Sequence, residues 1–142
     1  MAAIRPRAFT LVEILIVVVI LGILAAIIVP QMVGAQTESQ ISATLYDLGK
    51  IRRHVVAYEA RNDAFPEVQA GDGTWGQIVG TSGDYLMSAP INAYVGGGNR
   101  GVIILRDSAD TAFQTDHGWI FDAAVGEVWA GGFSAQDAPL PK

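Results

Sequence analysis

The sequence predicts an α+β fold: a long N-terminal helix, transmembrane in its first half and amphipathic in its second, packed on a small antiparallel sheet. Three observations carry that expectation. From Phe9 to Val29 the chain is apolar, and Glu13 is the only charged residue in the run. Ile41, Leu45, Leu48, Ile51, Val55 and Tyr58 then recur at spacings of 4, 3, 3, 4 and 3, which is one apolar stripe on a helix. Short β-branched and aromatic runs separated by glycine-rich turns follow in the last third.

Residues 1–8 form a basic leader in which Arg5 and Arg7 stand without an acid. Residues 9–30 are the spanning segment. The 21 residues from Phe9 to Val29 would make roughly 32 Å of helix, enough for the ~30 Å hydrocarbon core of a bilayer. The leader's charge places the N-terminus in the cytoplasm and everything beyond Pro30 outside it. Pro30 lacks an N–H and clashes with the carbonyl one turn back, and Gly22 is a second weak point, so a kink is expected between them. Thr10 and Glu13 have the spacing of a capping box that closes the helix start.

Residues 31–63 continue as an amphipathic helix, with Glu38, Asp47, Lys50, Arg52, Arg53 and Glu59 falling largely between the stripe positions. The helix should run from about Thr10 to Arg61 and stop near Asn62-Asp63, because Pro66 disfavours helical geometry at Phe65. Residues 64–142 form a small head. A loop from Phe65 to about Gly83 holds a short helical turn near Trp75 to Val79. Strands are expected at Gly101 to Arg106, Gly118 to Asp122 and Glu127 to Ala130. The last two flank a connection ending in Gly126 and read as a hairpin. Trp75, Trp119, Trp129, Phe121 and Phe133 are the expected core of the head. Phe133 to Lys142, with Pro139 and Pro141, reads as an exposed tail.

Ala8-Phe9-Thr10-Leu11-Val12-Glu13, the apolar run and Pro30 together resemble the class III signal of type IV pilins and type II secretion pseudopilins. The resemblance is specific over residues 5 to about 35 and generic afterwards. It implies cleavage by a prepilin peptidase between Ala8 and Phe9, N-methylation of Phe9, and an assembly role for Glu13. Ala8 departs from the family's usual glycine, which implies slower cleavage. The resemblance further implies a helical polymer of the chain itself, with minor pilins or pseudopilins, an inner-membrane platform protein and a cytoplasmic assembly ATPase as partners. The subunit would sit in the inner membrane with its head outside the cytoplasm, then in a periplasmic pseudopilus or a surface filament. The lack of cysteine and the small head lean toward a secretion pseudopilin.

Physical chemistry gives Glu13 a reason to fit that role. Cleavage would create a positive amine one helical turn away, and in a water-poor core a neighbour's amine attracts the carboxylate far more strongly than in water. Truncating either partner would strand a buried charge, at roughly 3–5 kcal/mol. A cleaved secretory signal, with small residues at Val33-Gly34-Ala35, is the rival reading of the segment. Its apolar core would be only 7–15 residues long, shorter than this run. A bitopic protein that never polymerises and displays an exported binding domain is the alternative function.

At 142 residues the chain allows one domain plus a helix. It has no cysteine, which excludes disulfides and thiolate chemistry. Its formal charge is −5, and loss of residues 1–8 removes two of nine basic residues and no acid, giving −7. That balance argues against nucleic acid as a partner. His54 and His117 lack a second histidine at metal spacing, and Gly96-Gly97-Gly98-Asn99-Arg100-Gly101 leads into a strand rather than a helix, unlike a phosphate loop. No catalytic constellation stands out, so no enzyme is expected. Asp107, Asp110, Asp116 and Asp122 are the candidate calcium ligands, since calcium takes six to eight oxygens. Major pseudopilins order a loop in this region with calcium, but the ligand pattern does not match here, and a solvated acidic loop is the expected reading.

Overall fold

The computed structural model describes residues 9–72, 75–80 and 85–142, without the side chains of residues 30–33 and Asp72. The leader with Ala8, and the side chain of Pro30, lie outside the described residues. The chain divides into two compact units, Met1–Gln36 and Thr37–Lys142. Helix α1, Leu11–Asn62, enters both.

In the first unit the helix is apolar on every side. Its most apolar 18-residue window has a mean hydropathy of 3.3 and none of it is buried, so the segment is long and apolar enough to cross a membrane. In the second unit the same helix is striped. Leu48, Ile51 and Val55 are fully buried, while Ile41, Leu45 and Tyr58 pack partly buried beside them. The helix ends where Asp63 turns left-handed at φ 53°. Its N–H still reaches the Glu59 carbonyl at 2.8 Å, and Asn62 Nδ2 donates to the Tyr58 carbonyl. Those bonds satisfy carbonyls that the last turn would otherwise leave unpaired.

The head carries a four-stranded sheet in the order β1 (Gly71–Asp72), β2 (Val102–Leu105), β3 (Trp119–Asp122) and β4 (Glu127–Ala130). A 3-10 turn at Gly76–Ile78 follows β1. The three longer strands fall where the sequence places them. The sheet is mixed, however, rather than antiparallel: β1 pairs antiparallel with β2, β2 parallel with β3, and β3 antiparallel with β4. The reason is the connection between β2 and β3. Residues 106–118 are long enough to carry the chain back to the starting end of the sheet, which a parallel pair requires and a hairpin does not. The β3–β4 connection is a tight hairpin, with Gly126 at φ 71° and Asp122 Oδ1 accepting the Ala124 N–H.

Trp75, Trp119, Phe121, Phe133, Ile103 and Val128 complete the core against the helical stripe, and Trp129 is buried as well. Trp119 Nε1 donates to the Pro90 carbonyl, which lets an indole be buried without an unmet donor.

The C-terminal segment is tied to the head, although Ala135, Gln136, Ala138, Pro139, Pro141 and Lys142 are exposed as the sequence predicts. Phe133 bridges to Pro139, Leu140 N–H reaches the Gly132 carbonyl, and Tyr94 Oη donates to the Leu140 carbonyl. Arg52 from α1 donates to both Asp137 oxygens at 2.5 and 2.9 Å, and to the Val128 carbonyl through Nε and Nη2. Asp137 is left-handed at φ 59° and folds the segment back. Proline lacks an N–H to donate, but here the donors come from Leu140, Tyr94 and Arg52, so the prolines do not prevent docking.

The tightest backbone crossing lies at Gly118, where a Cβ would stand 2.1 Å from the Arg100 carbonyl oxygen. Gly118→Ala should therefore lower stability by more than ~2 kcal/mol through forced backbone displacement. Gly101→Ala, with open space around the added carbon, should stay within ~0.5 kcal/mol. Urea denaturation of the two variants checks this; equal midpoints would contradict the close crossing.

Candidate functional site

The first candidate site is the start of α1. Thr10 precedes the helix, and its hydroxyl accepts the Glu13 N–H at 3.2 Å. In return Glu13 Oε2 accepts the Thr10 N–H at 2.8 Å and the Thr10 hydroxyl at 2.9 Å. This is the reciprocal capping box that the spacing predicts, and it meets orphan donors at the helix start. Both bonds from Thr10 fall on Oε2. Phe9 lies directly before this turn and is 79% exposed, and the apolar residues that follow it are exposed on all sides. The described structure thus sets the methylation candidate Phe9 and the assembly candidate Glu13 within one turn at the same end of a bare apolar helix. Gly22 lies inside α1 with open space around it.

The acids proposed as calcium ligands do not come together. Asp107 and Asp116 are exposed, Asp122 caps the hairpin turn, and only Asp110 is buried. Among the described residues no group of three or more histidine or acidic side chains converges at metal-binding distance. These four residues therefore do not fit a calcium site.

Asp110 is instead the centre of a polar cluster assembled from the 106–118 connection. Oδ1 accepts Arg106 Nη2 at 2.6 Å, and Oδ2 accepts Gln114 Nε2 at 2.8 Å and the Gly132 N–H at 2.9 Å. His117 Nε2 lies 3.3 Å from Oδ2. Gln114 Oε1 in turn accepts the Asp116 and His117 N–H groups. Asn92, Arg106 and Gln114 were not marked by any motif. Asn92 follows Pro90-Ile91 and reads as an ordinary turn residue, and Gln114 lies in a polar stretch without periodicity.

Burial works to raise the Asp110 carboxyl, but the Gly132 N–H, Arg106, Gln114 and His117 together hold it below its ordinary value. Burial holds His117 below its ordinary value with help from Arg106, while Asp110 and Asp116 pull the other way. Burial, Arg53 and Lys50 lower His54 as well. None of these groups forms a nucleophile–base pair. An open groove of about 560 Å³ lies between Arg52, Val56, the β3–β4 turn and Asp137; Arg52 and Asp137 there are bonded to each other.

The comparisons with known proteins agree with the start of the helix. A family model described as the prokaryotic N-terminal methylation motif matches residues 5–29. Type II secretion system core protein G of Pseudomonas aeruginosa is 41% identical over 67 residues, 47% of this chain and 47% of that protein. The core protein G of Klebsiella pneumoniae is 34% identical over 67 residues, covering 47% and 48%. That of Dickeya chrysanthemi is 33% identical over 69 residues, covering 49% and 45%. The chain spans about half the length of the curated relatives it matches. No solved structure matches it. The chain therefore carries a prepilin-type methylation motif and is similar to type II secretion core protein G.

The shifted groups set the sign of the pH dependence. A histidine held below its unfolded value of about 6.5 favours the neutral, folded form; its contribution is complete above that pH and is lost as pH falls through the lower folded value. Asp110 follows at lower pH, its contribution being complete above about 3.9 and lost below. The melting temperature should thus fall in two stages on acidification. His117→Gln should remove most of the first stage, with His54 supplying the remainder. Circular-dichroism melts between pH 8 and pH 3 read this, and identical profiles for wild type and variant between pH 7 and 5 would rule it out.

Proposed function

We propose that this protein is a structural subunit, matured by prepilin peptidase and polymerised at the inner membrane into a type II secretion pseudopilus or a related pilus. The observation that carries the reading is the apolar run Phe9–Val29, exposed on every side with Glu13 as its one charge. Lipid accommodates such a surface before assembly, and the same surface of neighbouring subunits accommodates it afterwards. Glu13 then has two tasks. Within the chain it caps the helix; between chains it receives the Phe9 amine of a neighbour and fixes axial register. The similarity to core protein G supports the secretion apparatus over an adhesive pilus.

Moving the helix from lipid into a filament gains little hydrophobic free energy, because lipid is already apolar. An external motor must therefore drive extraction, and the resemblance supplies one: a cytoplasmic ATPase acting through a membrane platform protein. Minor pseudopilins and the membrane itself are the other partners. The function is assembly rather than catalysis, and the folded head gives the filament its outer surface.

Two linked experiments test the reading. N-terminal sequencing with intact mass should find a mature chain that begins at methylated Phe9, and Ala8→Gly should be processed at least as well as wild type. An intact Met1 in assembled material, or a mature start at Gln36, would refute processing at this junction. Glu13→Gln should insert and be cleaved normally, since it removes an acid from an apolar run, yet filament yield should fall at least tenfold because each amine is buried unpaired. Wild-type filament yield from Glu13→Gln as the sole subunit would reduce Glu13 to a helix cap.

A further inference from the structure

The connection between β2 and β3 is the longest segment of the described head that lacks helix or strand, apart from the loop that precedes β2. A parallel strand pair depends on it, because residues 106–118 must return the chain to the correct end of the sheet. Loops of this kind are costly to order unless something ties them down. Here the tie is visible. One buried carboxylate, Asp110 with a side chain 5% exposed, gathers Arg106 at the loop's start, Gln114 and His117 at its end, and the Gly132 N–H beyond β4. Arg106 Nε also donates to the Ser108 carbonyl at 2.7 Å, which turns the loop toward Asp110.

The charges in this cluster already cancel. Asp110 brings one negative charge and Arg106 one positive charge at 2.6 Å. Burial holds His117 below its ordinary value and so toward its neutral form. A divalent cation binds where several carboxylate and carbonyl oxygens face an empty space. Asp110 faces four nitrogen atoms instead, and Asp107 and Asp116 are exposed to solvent. A metal ion would have to displace a guanidinium from a charge-assisted hydrogen bond, the stronger kind of hydrogen bond in proteins. The loop's own Arg106 already supplies a positive charge to Asp110.

We propose that Arg106 is the internal counter-ion that orders the 106–118 connection through Asp110, so that the head folds without a bound metal ion. Asp110, Gln114 and Arg106 are then positioning residues for the β2–β3 crossover and for the chain's exit from β4 at Gly132. The idea does not rest on polymerisation, since it is read on the unassembled subunit.

The test is a thermal melt of the full chain in detergent, followed by near-ultraviolet circular dichroism of the buried tryptophans. Wild type should melt within one degree in excess calcium chloride and in EDTA. Arg106→Gln should melt several degrees lower, by the same amount in both solutions. Arg106→Lys, which keeps the charge, should recover part of the loss, and Asp110→Asn should resemble Arg106→Gln. A ligand that binds only the folded form raises the melting temperature with its concentration. A calcium-dependent rise of several degrees in wild type would therefore overturn the proposal. So would an Arg106→Gln melt equal to wild type, or calcium rescue of Arg106→Gln. If Arg106→Gln fails to fold in either solution, Arg106→Lys and Asp110→Asn still decide between the outcomes by their response to calcium.

Discussion

Asn92 is fully buried, and its amide touches each part of the head that must be held in place. Oδ1 accepts the N–H groups of Tyr94 and Val95 and lies 3.2 Å from the Thr44 hydroxyl on α1. Nδ2 donates to the carbonyls of Gly118 and Gly131, which enter β3 and leave β4. A buried amide is costly unless nearly all its hydrogen-bonding capacity is met, and here it is met from four directions. Thr44 completes the arrangement by donating to the Gln40 carbonyl and accepting the Tyr94 N–H. The helix, the loop before β2 and both ends of the hairpin therefore share one polar fixing point inside an apolar core. Gly118 and Gly131, whose carbonyls Asn92 holds, also lie against other backbone: a Cβ would meet the Arg100 carbonyl oxygen at 2.1 Å and the His117 carbonyl oxygen at 2.3 Å.

A single helix serves two environments, and the sequence divides it accordingly. In the proposed function the apolar run has no polar face because lipid or a filament core presents none. The striped part keeps one apolar face for Leu48, Ile51 and Val55 and a charged face for solvent. Arg52 shows how the second part does more than cover the sheet. It satisfies the Val128 carbonyl of β4 and holds Asp137, so the helix also clamps the C-terminal segment. At about one-third exposure for both side chains, that ion pair is worth little by itself. Its effect lies in joining three pieces of chain with one planar group.

What could be read from the sequence was whatever periodicity and composition encode. The stripe from Ile41 to Tyr58, the strands at 102–105, 119–122 and 127–130 and the helix end at Asn62 all follow from spacing, β-branched runs and Pro66. Strand direction was not legible, because direction depends on where residues 106–118 carry the chain, and a polar loop has no period. The docked C-terminus was equally hidden: its partners, Arg52 and Tyr94, lie far away in sequence. The Asp110 cluster was half legible. The acids were visible, but their separation in space was not, and a lone arginine among them gave no sign of being a counter-ion.

The start of α1 raises a physical question that the capping box answers. A lone carboxylate entering a bilayer carries a cost that falls from about 2.5–3.5 kcal/mol at the centre toward zero at the edge. In the proposed function, Glu13 must tolerate that environment before any neighbour's amine arrives. Thr10 makes this feasible by giving Oε2 two hydrogen bonds from within the same turn. The group is thereby partly satisfied in the unassembled subunit, and its carboxylate is held against the Thr10 turn. Both intrachain bonds fall on Oε2, so Oε1 keeps its acceptor sites for an incoming amine and the two do not compete. Because the carboxylate is already oriented when the amine meets it, little side-chain entropy remains to be lost on pairing. Helix capping and subunit assembly are then successive uses of the same carboxylate, and the first prepares the second.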